Sequence, residues 1–233
     1  MNYTTLYNTI QTYTENQFPD VYLAGGGTVS ATTQINTFIT QAEQRIYNSV
    51  QFPSLRKNVT GATSSSNKYL SCPSDFLATY SMAVVDATGA YEYLLNKDVN
   101  FIRQAYPTPT DTAIPKYYAL FGPTVASSVI TNELSFILGP TPDTVYTIEL
   151  HYYYYPESIT TVASGQTWLG DNFDSVLLYG SLVEAYTFMK GEVDIITGYD
   201  AKYKEALALA KRLGDGMERQ DAYRSGQFRQ AVT

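Results

Sequence analysis

The stretch 145–155, VYTIELHYYYY, alternates its side chains at a period of two, the mark of a β-strand. His151, Tyr153 and Tyr155 then share one face with Glu149, and Leu150, Tyr152 and Tyr154 share the other. Upstream, further β-prone stretches at 55–63, 68–71, 79–85, 91–95, 116–121 and 133–138 are parted by turn-forming runs such as Thr63-Ser64-Ser65-Ser66-Asn67 and Gly139-Pro140-Thr141-Pro142-Asp143. A short helix over 98–105, closed by Tyr106-Pro107, interrupts them. Prolines crowd 107–142, which points to irregular loops and edge strands.

On both sides of this block the period changes to that of a helix. Before it, Ile35, Phe38, Ile39, Ala42, Ile46 and Val50 mark an amphipathic helix over 31–50, with Glu43, Gln44 and Asn48 off the stripe, facing water or a partner. A shorter helix carrying Leu6, Tyr7, Ile10 and Tyr13 is expected ahead of it, capped by Thr4 or Thr5. Gly25-Gly26-Gly27 reads as a linker between the two. It lacks the Lys-Ser/Thr of a phosphate loop and the strand that precedes a dinucleotide motif.

After the block, Asp174 is expected to cap a helix with Leu177, Leu178, Leu182, Ala185, Tyr186 and Met189, ended by Gly191. A second helix is expected from near Asp200, with Tyr199, Tyr203, Ala206, Leu207, Ala210 and Leu213 on one side, and Gly214 and Gly216 interrupting it. Helices, then strands, then helices indicate an α+β fold. The expected organisation is a helical bundle from 1–54 and 168–214, an inserted antiparallel β domain at 55–167, and an extended tail at 215–233.

Composition narrows the chemistry. The 233 residues hold one Cys and one His, so a disulfide framework and a zinc site built from several Cys or His are excluded. Charged residues are 16% against a usual value of about 25%. In their place stand 28 Thr and 22 Tyr, a composition suited to interaction surfaces. The net charge of −7 argues against general affinity for nucleic acid or anionic membrane. No 18-residue apolar run and no secretory signal is found, so a soluble protein made in a reducing cytoplasm is expected.

The candidate sites are sparse. His151 with Glu149 beside it supplies two members of a catalytic relay, but the sequence offers no nucleophile for it. Cys72, between Ser71 and Pro73, reads as an inert thiol. Asp171 with Asp174, and Asp194 with Asp200, read as acids at loop-to-helix junctions. Tyr117, Tyr118 and Tyr152 to Tyr155 are expected to fill a sandwich-like core and a subunit contact; a sugar-stacking platform is the other use of such rings. No catalytic residue, cofactor or metal site is therefore assigned. From 215 onward acids at 215, 218 and 221 balance bases at 219, 224 and 229. That segment is either a disordered tail or one that orders on a partner, with Arg219, Arg224 and Arg229 reaching carboxylates and Tyr223 and Phe228 as anchors.

Several segments also carry a resemblance. Leu70-Ser71-Cys72-Pro73-Ser74-Asp75-Phe76-Leu77, Pro115-Lys116-Tyr117-Tyr118, Gly139-Pro140-Thr141-Pro142, the strand at 148–155 with Pro156-Glu157-Ser158, the block 167–182 and the helix at 199–207 resemble, in order, tailed-phage head-to-tail adaptors of the podovirus tail-tubular or gatekeeper type. The resemblance implies a non-enzymatic virion protein, without a cofactor. It implies a ring, dodecameric in this family, that joins the portal to the nozzle or other tail protein and continues the DNA channel. Docking to the portal would fall to 214–233, and so to Arg219, Tyr223, Arg224, Phe228 and Arg229. An acidic lumen would let DNA slide past without sticking. The alternative function is a tail-associated, tyrosine-rich glycan-binding module.

Overall fold

The structure is a computed structural model that describes residues 1–108, 110–122, 124–126, 129–132 and 134–218. It is α+β, and the chain divides into two compact units, Met1–Leu55 with the chain from Pro156 onward, and Arg56–Tyr155.

The first unit is helical. Helix α1 (Tyr3–Thr14) is capped not by Thr4 or Thr5 but by Asn2, whose side chain accepts from the Thr5 N–H at 2.8 Å. The glycine run is not a plain linker: it turns a small antiparallel hairpin of β1 (Val21–Tyr22) and β2 (Thr28–Val29). Ser30 then caps α2 (Ala31–Ser49), whose predicted stripe Ile35, Phe38, Ile39, Ala42 and Ile46 is buried. After Pro156 come α4 (Trp168–Asn172), α5 (Asp174–Phe188) and α6 (Val193–Glu218). Helix α5 packs against α1, α2 and α6, and buried residues surround it on every side, as a central helix requires.

Both ends of α5 and both ends of α6 differ from expectation. Phe173 occupies the cap of α5 without a side-chain bond, and Asp174 lies inside the first turn. Lys190, at φ 55°, takes the left-handed position that ends α5, with the Gly191 N–H returning to the Tyr186 carbonyl. Helix α6 begins well before Asp200 and runs through Gly214 and Gly216 to Glu218, so 215–218 are helical and not an extended tail. Gly214 stays in the helix because the approach demands it: a Cβ there would lie 2.8 Å from the Gln51 carbonyl oxygen.

The second unit holds two four-stranded sheets. One has the order β4 (Tyr69–Ser71), β11 (Ser135–Gly139), β8 (Tyr117–Phe121), β7 (Leu95–Asn96); the other β3 (Arg56–Ala62), β12 (Thr147–Tyr153), β5 (Ala78–Val85), β6 (Tyr91–Tyr93). Both contribute to one core, with Met82, Val84, Ile148, Leu150 and Tyr152 from one sheet and Tyr118, Phe136 and Leu138 from the other. The expected strand 91–95 is split, because the buried Leu94 lies between β6 in one sheet and β7 in the other. The unit is not purely antiparallel: β7 and β8 pair in parallel, with α3 (Val99–Ala105) as the crossover. Helix α3 covers the second face of its sheet through Ile102, against Ala119 and Ile137. An extra pair, β9 (Thr124–Ala126) with β10 (Val129–Asn132), lies between β8 and β11. Of the expected strand 133–138, Glu133 lies outside the described residues.

Candidate functional site

Glu149 and His151 share one face of β12, as the alternation of 145–155 predicts, and that face points away from the core. Strand register then adds what the sequence could not supply. His151 lies opposite Asn58 on β3 and Ser81 on β5. The Ser81 Oγ is 3.0 Å from His151 Nδ1, and His151 Nε2 is 3.2 Å from a Glu149 carboxylate oxygen. Asn58 Nδ2 donates to that carboxylate at 2.9 Å, and the hydroxyl of Tyr91 also bonds it, which raises the tyrosine's pKa.

A serine, an imidazole and a carboxylate thus meet, but the setting is wrong for acyl transfer. They stand on the outer face of central strands whose backbone N–H groups serve the sheet ladder, so these strands leave no free pair of backbone donors for a reacting oxygen. The arrangement is a hydrogen-bonded surface network tying β3, β12, β5 and β6 together. Only the pairing register brings Ser81 and Asn58 here, so no local motif announced them.

The segment Pro73-Ser74-Asp75-Phe76 has a clear physical role. Asp75 accepts from the Tyr152 hydroxyl and from Lys57 Nζ, both at 2.8 Å. Partial burial acts to raise the carboxyl's pKa, but the two hydrogen bonds and the lysine charge outweigh it and hold it below the usual carboxylate value. Phe76 packs edge-on against Phe136 in the core. Burial pushes the Cys72 thiol up to about 12, which leaves it protonated and inert. Among the expected core rings, Tyr118 and Tyr152 are buried, Tyr117, Tyr153 and Tyr154 are half-buried and Tyr155 is exposed.

In the helical unit one expectation is reversed. Glu43 does not face water: it is 2% exposed and accepts from the Ile159 N–H at 3.0 Å. Burial raises its pKa, against the hydrogen bonds from Ile159 and Ser158 that favour the charge. Gln44 and Asn48 do face outward. With Gln41, Arg45, Ser49 and Glu184 they line a shallow polar groove of about 380 Å³, in which Arg45 and Glu184 form an ion pair. Asp171 lies 3.9 Å from the N-terminal amine, Asp194 sits in the first turn of α6, and Asp200 sits within α6, paired with Lys204.

The exposed rings are spread over several elements: Tyr22 on β1 (81% exposed), Tyr69 on β4, and Tyr91 and Tyr93 on β6 (56% and 65%). Among the described residues no cluster of His, Cys, Asp and Glu could hold a metal ion, and no helix is long and apolar enough to cross a membrane. The residues expected to dock, Arg219, Tyr223, Arg224, Phe228 and Arg229, lie outside the described residues. Over residues 1–230 the chain matches the family described as SU10 adaptor protein. No curated protein matches it.

Proposed function

The chain belongs to the SU10 adaptor protein family, a family of phage head-to-tail adaptors that are structural and not enzymatic, and from that premise we propose that it forms a ring joining the portal to the tail. A virion location and association with portal and tail proteins in general follow from the family. The ring, its dodecameric count, its attachment to the portal and the passage of DNA through it are the proposal. The observation that carries it is the match over 1–230, which takes in both units.

The physical division of labour is simple. The helical unit leads through α6 to the portal-docking segment with Arg219, Tyr223, Arg224, Phe228 and Arg229, and the β unit faces the nozzle or other tail protein. Arginines with aromatic anchors suit an acidic, ring-shaped partner, where modest contacts repeated around the ring add up. An acidic lumen lets DNA slide, because like charge opposes counterion-releasing contacts.

The test is co-sedimentation with the portal protein encoded alongside the chain, comparing full length with a chain ending at Glu218, where α6 ends. Full length joins the portal and the shortened chain does not. Equal binding by both would remove the docking role from 219–233, and binding by neither would remove the portal.

A further inference from the structure

The sheet β3-β12-β5-β6 ends on two open edges: among the described residues β3 and β6 each pair with one strand only. Backbone groups along an antiparallel strand point alternately to either side. The Thr63 N–H donates to the Tyr146 carbonyl at 2.9 Å, so Gly61, Val59 and Lys57 turn toward β12, and Arg56, Asn58, Thr60 and Ala62 turn outward. At the other edge, Asp86 donates to Ala90 and Leu94 to Met82, so Glu92 turns toward β5, and Tyr91 and Tyr93 turn outward.

Two features make these edges fit each other. All three pairings in the sheet are antiparallel, so β3 and β6 run in opposite directions, and a second copy set beside the first meets it with antiparallel strands. The outward-turned residues at both edges carry their side chains on the face of Glu149 and His151, so the pleats match without a flip. An even number of strands guarantees this; a three-stranded sheet would not have it.

We propose that β6 of one copy pairs with β3 of the next, carrying the sheet from subunit to subunit. Charge chooses the register. Tyr91 opposite Asn58 and Tyr93 opposite Arg56 set Glu92 against Lys57, whereas sliding β6 by two or four residues toward Ala62 sets Glu92 against Val59 or Gly61. The same register brings the exposed Tyr93 ring to the Arg56 guanidinium, which already lies 4.5 Å from the Tyr80 ring centre. Three residues of β6 give a joint far smaller than a stable two-body interface, so it works only as one contact among several in a larger assembly. The inference rests on the ring reading, since unlike edges joined head to tail close only by going round.

The test uses full-length chains, with Cys72→Ser in all of them, assembled on the portal and treated with a short bismaleimide. Asn58→Cys with Tyr91→Cys in one chain gives a ladder of covalent oligomers. The two single variants mixed give dimers and nothing larger, and each alone gives none. Asn58→Pro, which removes one outward N–H that the isolated subunit does not use, lowers assembly about tenfold per joint, while Asn58→Ala, which keeps it, does not. Subunits that assemble on the portal without cross-linking, and without sensitivity to Asn58→Pro, would overturn the edge pairing and leave the ring standing. Wild-type chains that fail to assemble on the portal would overturn both.

Discussion

Glu43 shows what a single side chain can hide. The helical stripe puts it off the apolar face, yet it is buried against the backbone of a segment more than a hundred positions away. Its folded pKa is raised by burial, so the native state holds the proton more tightly than the unfolded chain. That contribution to stability is full below the ordinary value of 4.5 and is lost as pH rises through the folded value. Glu43→Gln keeps an acceptor for Ile159 and removes the charge, so urea unfolding should show unchanged or higher stability at pH 8 and a flatter profile above pH 4.5. Glu43→Ala leaves the Ile159 N–H unpaired and should cost about 2 kcal/mol. Tyr152→Phe removes the hydroxyl that Asp75 accepts from and should cost about 1 kcal/mol by the same measurement. The His151 network was half legible. Alternation gave the face of Glu149 and His151, but Ser81 and Asn58 reach it through register, which no local pattern encodes. His151→Ala should leave portal binding within about twofold, since no step of bond-making is asked of the imidazole.

Among the elements, the long periodic segments were the ones the sequence revealed. Helix α2 and strand β12 follow their side-chain period because one face of each is buried and the other is not. The failures came where packing overrode local signals. Gly214 and Gly216 look like helix breakers, yet α6 passes through both, and Gly214 marks a close approach to Gln51. Gly214→Ala, which raises helix propensity, should therefore lower stability by about 1–3 kcal/mol, read as a drop in Tm. A rise in Tm would mean that the contact with Gln51 yields freely. The hairpin β1–β2 and the pair β9–β10 were missed because strands of two to four residues carry too little alternation to be read. The parallel β7–β8 pair depends on Leu94, where the chain leaves one sheet for the other.

For the molecule as a whole, the α+β class was legible from the order of its periodic blocks, and the family from a set of short segments in sequence order. Arg56 and Tyr153 are direct neighbours in the β3–β12 register, so the chain enters and leaves the β unit close together. Residues 56–155 made alone should then fold, with a single cooperative urea transition; a non-cooperative loss of signal would show that the unit depends on the helical one. The acids, bases and rings beyond Glu218 lie outside the described residues, and their role rests on charge, chemistry and family. The central claim is that copies of this chain form a ring between portal and tail. A cryo-electron reconstruction of the virion neck tests it directly. A ring of copies beneath the portal, with both units fitting its density, is the predicted result. A neck whose density is filled by other proteins, with this chain elsewhere or absent, would contradict it.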